Sequence, residues 1–157
     1  MKQKDFSYQL IKGKIAEIIF SQMFRDAGEF TVIPFGYEQT VPELAQYVKE
    51  GMHSPVLETI RSAPDFALVS HNEQKVFLVE VKFRSHIDTH QIVEIAQKIH
   101  ERWKLSWLFV ASHDGFYFDS CADIIKTGIS KKLSTSWIPE SLQNEYLEFL
   151  NTFIQPK

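Results

Sequence analysis

Two apolar segments joined by a short polar turn constrain the fold of this chain more than any other feature. The segments cover residues 64–70 and 75–84, and both are rich in β-branched and aromatic side chains. Such residues favour extended structure, and a short polar turn between two such segments is typical of an antiparallel hairpin. We therefore predict two paired strands, with residues 71–74 as their turn.

Helical periodicity appears on the N-terminal side of this hairpin. A helix is predicted over residues 7–27, with Gly28 in the left-handed conformation that often caps a helix. A strand is predicted over residues 30–37, and its Pro34 cannot donate to a sheet ladder, so the strand should lie at an edge or carry a bulge. The insert over residues 39–63 should be mainly helical, since Pro42 suits a first helical turn and Gly51 suits a helix end. A second short helix is predicted there over residues 55–61.

The C-terminal side of the hairpin also alternates helix and strand. Asp88, with Gln91 three residues later, matches the capping box that begins a helix. Beyond that helix we predict strands over residues 106–111 and from residue 116, then helices over 122–127 and 139–154. Helices on both sides of a mixed sheet define an α/β sandwich.

Length and composition set broad limits on the class of protein. The chain has 157 residues, of which 44% are apolar, and this suits a single domain with a buried core. Its one cysteine, Cys121, excludes an internal disulfide framework and favours a cytoplasmic protein. We expect no signal peptide and no membrane span, since no apolar run is long enough to cross a bilayer.

Charged residues embedded in the hairpin point to chemistry. Side chains alternate along a strand, so Glu80 and Lys82 should project from the same face. Asp65 begins the preceding strand, and the two strands leave their turn at similar distances, which brings Asp65 beside Glu80. Two neighbouring carboxylates repel each other unless a cation lies between them, and Mg²⁺ prefers such oxygen ligands. The alternative is a partly exposed strand end in which Lys82 forms an ordinary salt bridge.

Glu17 is a further carboxylate in an apolar environment. It is the only polar residue in the segment Ile-Ala-Glu-Ile-Ile-Phe over residues 15–20. Gly13 lies one helical turn earlier on the same face, where the missing side chain would admit a ligand or a close backbone. Glu17 therefore either faces a polar site or pairs at the surface with Lys14 or Ser21.

Taken together, these residues resemble the motif of the PD-(D/E)xK nuclease superfamily. The matching pattern is Gly13-x-x-x-Glu17, Pro64-Asp65 and Glu80-x-Lys82, and its N-terminal part is closest to archaeal-type Holliday junction resolvases. The resemblance covers about residues 12–111 and implies a restriction endonuclease-like αβββαβ core. Two features differ from the family pattern, namely the insert over 39–63 and an acidic overall balance.

The resemblance also implies roles and partners. Asp65 and Glu80 would be metal ligands together with the Val81 carbonyl, and Lys82 would be the catalytic lysine. Glu17 would be an outer carboxylate or a ligand of a second metal ion. The implied cofactor is Mg²⁺, with Mn²⁺ as a substitute, and the implied activity is endonucleolytic cleavage of DNA, including branched DNA, by a homodimer. The alternative is an inactive module of the same fold that binds nucleic acid or a protein partner.

The net charge of −3 requires that any contact with DNA be local. A patch of basic residues would supply such a contact, and Gly13 would leave room for a ligand beside it. His86 and His90 have helical spacing that zinc ligands also use, but no third ligand accompanies them. The predicted nucleic-acid contacts are Lys12, Gly13, Lys14, Arg84, Lys98 and Arg102, with Lys104 as a further candidate.

Overall fold

The architecture is taken from a computed structural model that describes residues 2–36, 43, 47, 50–52 and 54–156. Within these ranges helices and strands alternate along the chain, so the predicted α/β class is confirmed. In chain order the elements are α1 (Lys2–Asp26), β1 (Phe30–Pro34), α2 (Pro55–Arg61), β2 (Phe66–Ser70), β3 (Lys75–Phe83), α3 (Thr89–Arg102), β4 (Ser106–Ser112), β5 (Gly115–Ser120), α4 (Cys121–Thr127) and α5 (Glu140–Phe153).

The strands form one mixed sheet in the order β1-β2-β3-β4-β5. Strands β3 and β4 are parallel, and the other neighbours are antiparallel. The predicted hairpin is confirmed as β2 and β3, with Phe66 opposite Val79 and Ser70 opposite Lys75. The predicted edge position of the Pro34 strand is also confirmed, since β1 ends at Pro34 and pairs only through β2.

The two faces of the sheet carry separate hydrophobic clusters because side chains alternate along each strand. On β4, Phe109 packs in the cluster that includes α1 and α5, whereas Leu108 and Val110 pack in the cluster of α3 and α4. On β3, Val79 and Val81 belong to the first cluster. The polar residues that alternate with them on β3 therefore point to the face that carries α3.

Local capping signals behave largely as predicted. The Asp88 carboxylate accepts hydrogen bonds from the backbone N–H groups of His90 and Gln91, at 3.0 and 3.4 Å, and so begins α3. Gly28 and Gly128 have φ angles of +80° and +81° at the ends of α1 and α4, a conformation that costs glycine little.

Some predicted boundaries were wrong. Helix α1 begins at Lys2 rather than Ser7, because its first turns are exposed and are helical without an apolar face that periodicity could detect. Two apolar residues of the last helix, Phe149 and Phe153, are 43% and 69% exposed and so lie outside the buried core. The short helix predicted over 55–61 is confirmed as α2. The strand predicted over residues 30–37 is shorter than predicted: it ends at Pro34, and neither Phe35 nor Gly36 belongs to a strand. Tyr37 and the helix predicted from Pro42 lie outside the described residues.

In the part of the chain that the structure describes, no helix is both long and apolar enough to cross a membrane.

We expect Phe109→Ala to lower the free energy of unfolding by about 3–5 kcal/mol, because it removes a large side chain from a packed core. The Phe109 ring is fully buried and lies 5.0 Å from the Phe20 ring and 5.5 Å from the Phe116 ring, centroid to centroid. Urea unfolding followed by circular dichroism measures the change. The exposed Phe153→Ala is the control and should change stability by less than about 0.5 kcal/mol; equal effects for the two variants would contradict this packing.

Candidate active site

Asp65 lies just before β2 and accepts hydrogen bonds both from β3 and from the residues that follow β1. Its side-chain Oδ2 accepts a hydrogen bond of 2.9 Å from the backbone N–H of Val81 on β3. Its backbone carbonyl accepts hydrogen bonds from the N–H groups of Phe35 and Gly36, at 2.9 and 3.2 Å, just after β1. The Asp65 carboxylate is therefore held against β3, one residue before the first β2–β3 pair.

Glu80 and Lys82 occupy the neighbouring positions on β3, on one face as predicted. The Glu80 side chain is only 14% exposed, whereas Lys82 is 39% exposed, and the Lys82 ammonium lies 3.8 Å from the Glu80 carboxylate. Glu80 also lies close enough to Asp65 for the two carboxyl groups to interact electrostatically, as the facing positions of the two strands predicted. The salt bridge of the alternative interpretation is present, but it involves a largely buried carboxylate in contact with a second one.

Glu17 reaches the same place from helix α1. Its carboxylate lies 3.2 Å from the Lys14 ammonium, and it also lies close enough to the Asp65 carboxyl group to interact with it electrostatically. Both interpretations of Glu17 therefore apply, because it pairs with Lys14 and also faces the polar site. Gly13 has no other atom within 4 Å of the position of an added Cβ, so its role is not close backbone packing.

The three carboxylates form a chain with Asp65 in the middle, and their electrostatics follow from burial and repulsion. Burial, followed by the charge of Asp65, raises the pKa of Glu80 to about 9, although the Lys82 ammonium opposes the shift. Burial and Asp65 also raise the pKa of Glu17, although Lys14 lowers it. Such carboxylates need either a shared proton or a cation between them.

Two adjoining clefts open over these carboxylates. The larger has a volume of about 790 Å³ and the smaller about 280 Å³, and Glu17, Asp65 and Glu80 line both. The larger cleft lies between α1 and α3, and apolar side chains share its wall with the charged ones. The charged or polar residues that line the larger cleft are Lys14, Glu17, Ser21, Arg61, Ser62, Asp65, Glu80, Lys82, Arg84 and Lys98.

A metal ion would have to bind through the carboxylates of this chain. No group of three or more His, Cys, Asp or Glu side chains within the described ranges has the spacing of a metal-binding cluster. Mg²⁺, however, usually takes only one or two protein carboxylates and keeps several waters. The adjacent Asp65 and Glu80 carboxylates fit that requirement, with Glu17 close to Asp65. The predicted role of the Val81 carbonyl stays a prediction.

The predicted basic residues divide into two groups. Lys14, Arg84 and Lys98 line the larger cleft as expected for binding residues. Lys12 instead places its ammonium 4.4 Å from the ring centroid of Tyr8 and 5.6 Å from that of Phe83. Arg102 is exposed near the end of α3 and does not line either cleft described above, nor does the exposed Lys104.

Two lining residues were missed by sequence reasoning. Arg61 and Ser62 end helix α2 inside the predicted insert and reach the larger cleft. Nothing in strand alternation links them to the hairpin, and only the fold brings the insert to the site. His90, considered as a zinc ligand, is paired with Glu94 at 3.5 Å instead.

Comparison with known proteins adds no relative. No protein-family model, no curated protein and no solved structure matches the chain. The function must therefore be argued from the site itself.

Without divalent metal, stability should fall as the pH rises from about 4.5 towards 9. The unfolded chain releases the Glu80 proton near the ordinary pKa of 4.5, whereas the folded protein retains it until about 9, so rising pH favours unfolding across this window. Urea unfolding of wild type and Glu80→Gln in EDTA over this window measures the effect. As the pH rises across this window, the unfolding free energy of Glu80→Gln should increase relative to that of wild type. The exposed Glu94→Gln is the control, and a difference that is constant with pH would contradict the assignment.

Proposed function

We propose that this protein is a Mg²⁺-dependent nuclease of the PD-(D/E)xK type that hydrolyses phosphodiester bonds of DNA. The observation that carries the proposal is the contact of the Asp65 and Glu80 carboxylates, with the Lys82 ammonium 3.8 Å from Glu80, inside an open cleft. The element order α1-β1-β2-β3-α3-β4, with α2 inserted, also supports the αβββαβ core that the motif implies.

Each residue of the site has a role in this proposal. Asp65 and Glu80 would hold Mg²⁺, and Glu17 would orient Asp65. When bound, Mg²⁺ supplies a polarised water and neutralises charge on the phosphoryl oxygen. Lys82 would stabilise the negative charge that develops on the phosphate as the water oxygen bonds to phosphorus. The bond to the leaving oxygen breaks, and the proton lost by the water is balanced by one gained at that oxygen.

The geometry of Lys82 favours electrostatic stabilisation over a role as general base. Its amino group lies 3.8 Å from a Glu80 carboxyl oxygen and is partly exposed in the cleft, where a phosphate could reach it. An ammonium has no lone pair with which to accept a proton from water. It does provide three donors for phosphate oxygens at the same position.

A second candidate function is an inactive module of the same fold that binds nucleic acid or a protein partner. The observation that favours it is the Glu80 pKa of about 9, because a protonated carboxylic acid is a poor ligand for a cation. A divalent ion competes with the proton on Glu80. In a nuclease the metal would displace that proton, whereas in an inactive module it would not. Nuclease activity in the presence of metal separates them.

We expect purified protein to cut plasmid or branched DNA with Mg²⁺ or Mn²⁺ and to lose this activity in EDTA. Gel analysis of the cleavage products measures the rate. Glu80→Gln and Asp65→Asn should abolish metal-dependent cutting, and the asparagine retains an oxygen acceptor for the Val81 N–H. Lys82→Ala should slow cutting by about 10²–10³-fold, because it removes one group that stabilises the transition state.

The matched control is Lys75→Ala, because Lys75 is an exposed lysine at the other end of the same strand. It should retain wild-type activity, and each variant should melt as a folded protein. Cutting that persists in Glu80→Gln would indicate a contaminating nuclease and contradict the proposal. DNA binding without cutting in Mg²⁺ or Mn²⁺ would favour the inactive module.

A further inference from the structure

Arg84 lines the candidate site and has one buried donor without a partner among the described residues. It follows β3 directly and lies two and four residues beyond Lys82 and Glu80, and it lines both clefts. One guanidinium nitrogen donates to the Phe83 carbonyl at 2.7 Å, but the Nε atom is buried and has no hydrogen-bond partner. A buried polar group without a partner costs free energy, so such an atom marks a position where a ligand can supply the acceptor.

Two other cations share the wall of the larger cleft with Arg84. Arg61 comes from the end of α2, and Lys98 comes from α3. Among the described residues, none of the three has a carboxylate partner within ion-pair distance. Lys14 and Lys82, by contrast, are paired with Glu17 and Glu80. Three unpaired cations from separate elements therefore converge on one cleft.

The local charge differs from the charge of the whole chain. The larger cleft is lined by five cationic side chains, Lys14, Arg61, Lys82, Arg84 and Lys98, and by three carboxylates, Glu17, Asp65 and Glu80. At their ordinary charges, five positive and three negative groups leave a local excess of two positive charges, whereas the chain carries −3 overall. The raised pKa of Glu80 increases this excess, so the cleft attracts anions.

We propose that Arg61, Arg84 and Lys98 form a second phosphate subsite, which holds the backbone phosphate next to the one that is cut. This inference rests on the proposed function, because it assumes that the phosphate that is cut lies at the carboxylate end of the cleft. It makes the substrate a polynucleotide that continues past the cut, rather than a small phosphodiester. Apolar neighbours in the same cleft, Ile18, Phe66 and Ile95, would contact the sugar and base between the two phosphates.

Burial supports Arg84 as the central member of this subsite. Desolvation lowers the pKa of the Arg84 guanidinium, which indicates a charge that lacks compensation from the protein itself. A phosphate oxygen would accept a hydrogen bond from Nε and would also neutralise that charge. A purely structural arginine would instead be expected to have a carboxylate partner in the same position.

Binding measured in EDTA tests the subsite without any requirement for cleavage. The probe is a short fluorescent thymidine oligonucleotide, and its anisotropy is titrated with wild type, Arg84→Gln and Lys98→Gln. Arg84→Gln should weaken binding about tenfold, as expected for the loss of a charge-assisted hydrogen bond. Each of the two variants should also reduce the slope of log affinity against log salt by about 0.7, the value for one lost phosphate contact on a single strand.

Lys126→Gln is the control, since Lys126 is exposed on α4 and lies outside both clefts. Affinity and salt slope for this variant should match wild type. If Arg84→Gln and Lys98→Gln also match wild type, or if wild type does not bind at low salt, the subsite is wrong. Because Lys98 is an exposed helix residue, Lys98→Gln tests the subsite even if Arg84→Gln does not fold. Weakened binding by both variants in a protein that cuts nothing would support the subsite while the nuclease proposal fails.

Discussion

The hydrogen bond between the Asp65 carboxylate and the Val81 backbone N–H is the interaction on which the rest of the site depends. It occurs where the ladder between β2 and β3 ends, so a side chain takes a backbone donor that the ladder no longer satisfies. The same residue accepts two backbone hydrogen bonds just after β1. Asp65 thereby fixes the end of the sheet and, with it, the position of one carboxylate beside Glu80.

That position is unfavourable for the isolated protein. Glu80 is largely buried and in contact with a second carboxylate, and the result is a pKa near 9. Packing on the opposite face compensates, because Val79, Val81 and Phe83 alternate with the charged residues and are buried in the main core. A chain selected only for stability would have no use for such a cluster, whereas a site that takes up a cation does.

Sequence reasoning was most successful where a single strand sets the geometry. The alternation of Glu80 and Lys82, the hairpin partner position of Asp65 and the edge position of the Pro34 strand all follow from local rules. Reasoning failed where position depends on how separate elements pack. The end of α2 at Arg61 reaches the cleft through tertiary structure alone, and Arg102 lies outside the two clefts although its spacing resembles that of Lys98. The open space beside Gly13 likewise depends on what packs around α1.

The central claim of the proposed function is that the Asp65 and Glu80 carboxylates share one divalent cation. A crystal structure of the protein soaked in Mn²⁺, with anomalous diffraction recorded to locate the metal, tests this claim most directly. We predict an anomalous peak within coordination distance of both carboxylates, next to the Lys82 ammonium. An ordered site without a peak there, with the two carboxyl groups still beside each other, would contradict this claim.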